Sequence, residues 1–230
     1  MKKKAICLLS GGLDSAVTTA IASQNYEIFA LTFLYGQKHK KELNSAKRLA
    51  KFFKVKEHKI LKIPLQEISS SSLIDKKVKI PIGKSYKEIK KSKVIPTTYV
   101  AARNIIFLAY ALAYAEEVNA EKIFIGANQI DYSHYPDCRK AFIEKFQDIA
   151  KVGTKAGVEG KCIEIEAPLL KMSKAEIIKK GHELKVPFEL TWSCYQGRKK
   201  ACGVCESCIL RLDGFKKANL KDPLEYEKRN

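Results

Sequence analysis

Ser10-Gly11-Gly12-Leu13-Asp14-Ser15 stands between an apolar run, Ala5 to Leu9, and a small-residue helical pattern, Ala16 to Ser23. Strand, glycine turn and helix start, in that order, make a cradle for phosphate. Two adjacent glycines open backbone conformations closed to other residues, so their N–H groups can approach an anion and point at it. The helix behind them adds unpaired N–H groups and the positive end of its dipole. Ser10 and Ser15 supply hydroxyl donors. Asp14 would repel bare phosphate and suits a Mg²⁺ that bridges phosphate oxygens. A tight turn with Asp14 or Ser15 as N-cap is the plainer alternative. Six specified positions directly after a first strand favour the nucleotide. The candidate nucleotide segment is Leu8, Leu9, Ser10, Gly11, Gly12, Leu13, Asp14, Ser15, Ala16, Val17 and Thr18.

The segment lacks the Gly-Lys-Ser/Thr ending of a Walker A loop. It resembles the PP-loop of the ATP pyrophosphatases, which split ATP between its α and β phosphates and adenylate an oxygen of the substrate.

The 230 residues suit one domain with most of its apolar surface buried. Apolar runs are much shorter than a membrane span, and Met1-Lys2-Lys3-Lys4 leads straight into a strand rather than a signal peptide. The expectation is a soluble cytoplasmic protein with no membrane partner. The net charge of +18 invites a nucleic-acid partner, yet only six of the 43 basic residues are Arg and the lysines are spread along the whole chain. That distribution favours a solvated surface over a binding patch.

Ile28 to Leu34 is an unbroken apolar run of the kind buried on both faces of a parallel sheet, and it ends in Tyr35-Gly36-Gln37 beside the cradle. A helical pattern follows from Lys38 to Phe53, with His39 on its exposed side, and Val55 to Ile63 is the third strand. Residues 69–98 turn polar and read either as disordered or as a lid over a site. Arg103 opens an apolar helix that runs to Val118; a cation there calls for an anion, either an internal carboxylate or a ligand. Lys122 to Ile125 is the fourth strand. Beyond it, Asp131, Asp137 and Arg139 are expected to share the crevice with the cradle, with Asp137 also suited to cap the next helix. That helix carries Ala141, Phe142, Phe146, Ile149 and Ala150 on one face. Cys162 to Glu166 is the last strand, and the capping box Ser173-Lys174-Ala175-Glu176 opens a helix closed by Gly181. The order predicts an α/β fold, a doubly wound parallel sheet with its site at a topological switch point.

Cys194, Cys202, Cys205 and Cys208 follow a C-x7-C-x2-C-x2-C spacing. Four thiolates so close suit a closed tetrahedral Zn²⁺ site of structural type, with an iron–sulfur cluster as the competing occupant. Cys7, Cys138 and Cys162 remain, of which Cys7 and Cys162 lie in expected strands as core residues.

With these segments placed, the chain is similar over nearly its whole length to the 7-cyano-7-deazaguanine synthase family of PP-loop enzymes. Leu9 to Ser15, Tyr35-Gly36-Gln37, Ala102-Arg103-Asn104, Tyr135-Pro136-Asp137-Cys138-Arg139, Thr191-Trp192-Ser193-Cys194-Tyr195 and the segment Cys202 to Arg211 carry the likeness. The family usually has proline where this chain has Ala101 and glycine where it has His134. The resemblance implies one PP-loop domain over residues 1–230, with residues 191–230 as a zinc-binding segment packed on it. It also implies ATP, Mg²⁺, ammonia and a deazapurine carboxylate as reactants, and a homodimer. Asp14, Arg103, Asp137 and Arg139 are the candidate catalytic residues, the two arginines as contacts to phosphate or to the substrate carboxylate. No residue offers itself as a covalent nucleophile. With Lys2 behind the first methionine and no second domain expected, glutamine hydrolysis has no place in the chain.

Overall fold

The apolar run after the N-terminal lysines lies at the centre of a five-stranded parallel sheet in the computed structural model, which describes residues 2–92, 94–128 and 135–227. The strands are β1 (Lys3–Leu8), β2 (Tyr26–Leu34), β3 (Glu57–Lys62), β4 (Lys122–Phe124) and β5 (Glu164–Glu166), in spatial order β3-β2-β1-β4-β5. In register, Ile6 lies between Phe29 of β2 and Ile123 of β4. A central strand covered on both faces must be apolar throughout, which is why Ala5, Ile6 and Cys7 are fully buried. Chain order reverses direction between β1 and β4, so the crevice at their carboxyl ends is the switch point.

Alternation along the strands sorts the core into two layers. Ile6, Leu8, Phe29, Leu31 and Phe33 share a cluster with α4 (Arg103–Val118) and α5 (Lys140–Gly153). Ala30 shares the other with α1 (Leu13–Ser23), α2 (Lys41–Phe52), α7 (Lys174–Glu183) and α8 (Glu206–Lys217). Two short helices, α3 (Tyr86–Lys91) and α6 (Lys155–Val158), complete the set among the described residues. None of the helices is long and apolar enough to cross a membrane.

Several boundaries differ from expectation for identifiable reasons. Gly181 does not end α7, which runs on to Glu183; a Cβ at Gly181 would come within 2.6 Å of Phe188 and 2.8 Å of Val17, so the glycine serves close packing. Cys162 lies outside β5 and is half-buried, accepting a hydrogen bond from Gln147 Nε2 at 3.1 Å. Helix α5 turns Ile143, Phe146 and Ala150 inward and leaves Ala141 and Ile149 exposed. His39 precedes α2 rather than lying on its exposed side. It is half-buried against Gly197, where a Cβ would meet its side chain at 2.3 Å.

Residues 69–98 are held by a link across the segment and by partners outside it. Ser72 N donates to Thr97 O at 2.8 Å, Ile82 bridges to Cys205, and Lys217 of α8 sits over the ring of Tyr86, 4.0 Å from its centroid. Ser85 and Glu88 form a capping box that starts α3. The segment thus packs on the C-terminal cysteine region and, through Leu73, supplies part of a cavity wall.

Candidate functional site

A cavity of about 230 Å³ opens at the carboxyl ends of β1 and β4. Its first wall is the glycine cradle. Gly11 has φ +92°, and a Cβ there would lie 2.1 Å from the carbonyl oxygen of Glu42, so only glycine lets the turn pass against α2. Gly12 takes the N-cap position of α1, with its own N–H held by Ser10 Oγ at 3.3 Å. Ser10 Oγ donates to Ser15 Oγ at 3.1 Å, and Ser15 Oγ donates to Gly12 O at 3.0 Å, so both hydroxyls are fixed at the helix start. Gly126, at the exit of β4, passes so close that a Cβ would fall 3.1 Å from Ser15 N.

Of the candidate nucleotide residues, Leu8, Ser10, Gly12, Leu13, Asp14 and Ser15 line the cavity. Leu9, Ala16 and Val17 instead belong to the core beneath α1, and Thr18 is buried. Gly11 packs on α2. The reason is helical geometry: only one side of the first turn faces the crevice, and the rest of it must pack on the sheet.

Asp14 meets a partner that sequence reasoning missed. Lys174 Nζ lies 2.6 Å from Asp14 Oδ1 and 2.7 Å from Oδ2, with the two side chains 8% and 17% exposed. Lys174 is the first residue of α7, placed by the capping box of Ser173 and Glu176. Its stem crosses α8 at Gly214, where a Cβ would come within 2.4 Å of Lys174 Cγ. The carboxylate and ammonium therefore reach the cradle as a pair.

The opposite wall carries Tyr35, Glu42, Arg103, Phe107 and Tyr195. Arg103 donates to Tyr35 Oη at 3.4 Å and its guanidinium sits 5.7 Å from the Tyr35 ring centroid; among the described residues it makes no ion pair. The internal salt bridge that the sequence left open is thus not formed there. Glu42, in the first turn of α2, also lines the cavity, and burial pushes its carboxyl up to about 7 although Arg103 pulls the other way.

Asp137 is not on the cavity wall and does not cap α5, whose N-cap is Arg139. It is buried and caps α4 instead: its Oδ2 accepts from Asn104 N at 3.0 Å, while Asn104 Nδ2 donates to Asp137 O at 2.9 Å. α4 needs this donation because its own N-cap, Ala102, is left-handed with φ 54° and has no side-chain acceptor. Asp137 therefore anchors the start of α4, the helix that Arg103 opens. Arg139 is exposed and off the cavity wall, because it stands at the outer start of α5. Asp131 and His134 lie outside the described residues.

The third feature is the cysteine cluster. The sulfurs of Cys194, Cys202, Cys205 and Cys208 all lie within 4.8 Å of one another and are buried. Cys202 and Cys208 are 4.0 Å apart, close to the ~3.8 Å edge of a tetrahedron with metal–sulfur bonds of about 2.3 Å. Hydrogen bonds from Cys205 and Cys208, and from the N–H groups of Cys202 and Gln196, hold Cys194 well below the usual thiol range; Cys205 is pushed up to about 12 by its bond to Cys194. Four such sulfurs cannot all ionise without a cation, and their geometry fits one. The cluster touches the cradle through one extended segment: Trp192 N donates to Gly11 O at 2.9 Å, and Trp192 Nε1 donates to Cys194 O at 2.8 Å. Arg211, 2% exposed, locks that segment by bonds to Thr191 Oγ1 at 2.7 Å and to Asp222 at 2.8 and 2.9 Å.

Comparison with known proteins agrees with this arrangement. The family model described as "Queuosine biosynthesis protein QueC" matches residues 4–219. The chain belongs to the QueC family. It is 52% identical to the 7-cyano-7-deazaguanine synthase of Acetivibrio thermocellus over 99% of both chains. It is 51% identical to that of Picrophilus torridus over 97% of this chain and 92% of the relative. For that of Legionella pneumophila the identity is 50%, over 98% of each. Among solved structures, the NMN synthetase of Francisella tularensis covers 96% of this chain and 88% of its own, at 15% identity and a TM-score of 0.48. For a QueC protein, a sheet crevice lined by both the cradle and the segment that leads into the cysteine cluster is the natural place for chemistry on a small molecule.

Proposed function

We propose that the chain is an ATP-dependent carbon–nitrogen ligase, a 7-cyano-7-deazaguanine synthase acting on 7-carboxy-7-deazaguanine and ammonia. The substrate carboxylate attacks the α phosphate of ATP, pyrophosphate leaves, and an acyl adenylate forms. Ammonia displaces AMP to give the amide. A second ATP adenylates the amide oxygen, and loss of AMP with the remaining N–H proton leaves the nitrile. The observation that carries this reading is the cavity itself, which joins a phosphate cradle to Arg103, a cation without a carboxylate partner among the described residues.

The cradle N–H groups, Ser10 and Ser15 face the site where charge builds on the departing pyrophosphate. Lys174 stands beside them as a cation that can turn from Asp14 to phosphate. Arg103 receives the substrate carboxylate and orients it. Asp14 is the carboxylate that would hold Mg²⁺, which usually takes one or two protein carboxylates plus phosphate oxygens and spreads their charge. Cys194, Cys202, Cys205 and Cys208 would hold a structural Zn²⁺. On this reading residues 191–230 are a zinc-binding segment of a single 1–230 PP-loop unit. The exposed apolar face of α4, with Ile105, Ala109, Tyr110 and Ala113, supports a homodimer, which sedimentation would test. The direct test is incubation with ATP, Mg²⁺, an ammonium salt and 7-carboxy-7-deazaguanine, followed by chromatography for AMP and the nitrile. AMP formed only when the acid is present supports the assignment; no AMP with any purine-like acid defeats it.

A further inference from the structure

Among the described residues two carboxylates line the cavity, and only one is accounted for. Asp14 faces Lys174, whereas Glu42 has neither a hydrogen bond nor an ion pair among the described residues. Its oxygens keep surface on the cavity rather than being sealed in protein. A half-buried carboxylate without a donor is costly, and no packing need explains it. Its neighbours on that wall are the rings of Tyr35, Phe107 and Tyr195 and the guanidinium of Arg103, close enough for the two opposite charges to interact without pairing. A flat ring bounded by a cation at one end and an acceptor at the other is the chemistry that this wall would recognise.

We propose that Glu42 is a specificity-determining residue that accepts the ring N–H and the 2-amino hydrogen of the deazapurine. The inference rests on the synthase reading for its substrate. In that ring N1–H and the 2-amino group are adjacent, parallel donors, and a carboxylate meets two such donors with its two oxygens. The carboxylate at C7 projects from the other side of the molecule, where Arg103 can take it. One residue then reads the guanine-type edge and another holds the reacting group. Purines with no 2-amino group leave one Glu42 oxygen without its donor, so they are rejected.

The test uses 7-carboxy-7-deazaguanine and its 2-desamino counterpart with the full chain, wild type and Glu42→Gln, by equilibrium dialysis and by AMP release. Wild type should prefer the 2-amino acid by about a hundredfold or more. Glu42→Gln presents an amide N–H₂ to ring donors and should bind the 2-amino acid at least roughly tenfold more weakly, with the preference collapsing; Glu42→Asp should restore part of it. ATP affinity and metal content should not change. A wild type without preference, or a Glu42→Gln enzyme that loses equally on both acids, overturns the contact in favour of a general or structural role. A preference seen in dialysis while no nitrile ever forms sustains the contact and defeats the synthase reading instead.

Discussion

Asp14 and Lys174 show how a single ion pair changes what a substitution should do. Asp14→Asn should lower turnover at least about a hundredfold, because it removes a charge from the place where pyrophosphate departs. It should also destabilise the fold by about 3 kcal/mol, since it strips the carboxylate from a largely buried lysine. Adding Lys174→Met should return most of the stability and none of the turnover, read by thermal melts and AMP release. Wild-type turnover in Asp14→Asn at saturating Mg²⁺ would reject the role. Lys174 was not legible in the sequence, because 160 positions separate it from Asp14 and its local pattern spoke only of a helix cap. Glu42 was hidden for a related reason, its apolar neighbours suggesting merely an outer helix face. Its carboxyl is pushed up to about 7 by burial, against a usual 4.5. Between those values the folded chain keeps a proton that the unfolded chain has released, so folding stability falls as pH rises through that window. Glu42→Gln should remove that decline, gaining on wild type from pH 4.5 to about 7 and holding a constant margin above; parallel denaturation curves for the two across the range would refute it.

The strands and the long helices were readable because each carries its own periodicity, and the cradle because its glycines, hydroxyls and acid are contiguous. What escaped was decided between elements. Asp137 looked like the cap of the helix that follows it, yet it caps α4, 33 residues earlier, whose left-handed Ala102 offers no acceptor. Residues 69–98 have little periodicity because their order comes from a link across the segment, Ser72 to Thr97, and from contacts with Cys205 and α8 rather than from a repeating local pattern. The cysteine segment shows the same dependence in reverse: its spacing announced a metal, but not that Trp192 ties it to Gly11 of the cradle. Binding energy at such a site is folding energy for a segment with a small apolar core of its own. Chelation, or Cys205→Ser, should therefore lower the melting temperature, by about 2–4 °C for each kcal/mol lost in a chain of this size. Through the Trp192 segment it should also weaken ATP binding, measured by calorimetry on the surviving folded protein. A metal-free protein of unchanged stability, or one carrying an iron cluster, would refute the zinc assignment.

The sheet order, the switch-point crevice and the two thiol populations together bear on where the nitrogen comes from. A glutaminase built on a cysteine nucleophile needs that thiol to have a low pKa and access. Among the described residues, four thiols are gathered in the cysteine cluster, and burial pushes both Cys7 and Cys138 up to about 12. Cys162, the seventh, lies near β5 beside Gln147, and among the described residues no histidine hydrogen-bonds it. On the synthase reading proposed above, free ammonia is the nucleophile for the acyl adenylate. Because only NH₃ attacks, the rate at fixed total ammonium should climb with pH until another group titrates. ¹⁵N-labelled ammonium should place its label in the nitrile, while glutamine alone should give AMP-linked chemistry no nitrogen to complete. Mass spectrometry of the product decides it. Label missing from the product, or the amide accumulating while ATP is in excess, would defeat the nitrile-forming reading and turn attention to a PP-loop enzyme that modifies tRNA directly.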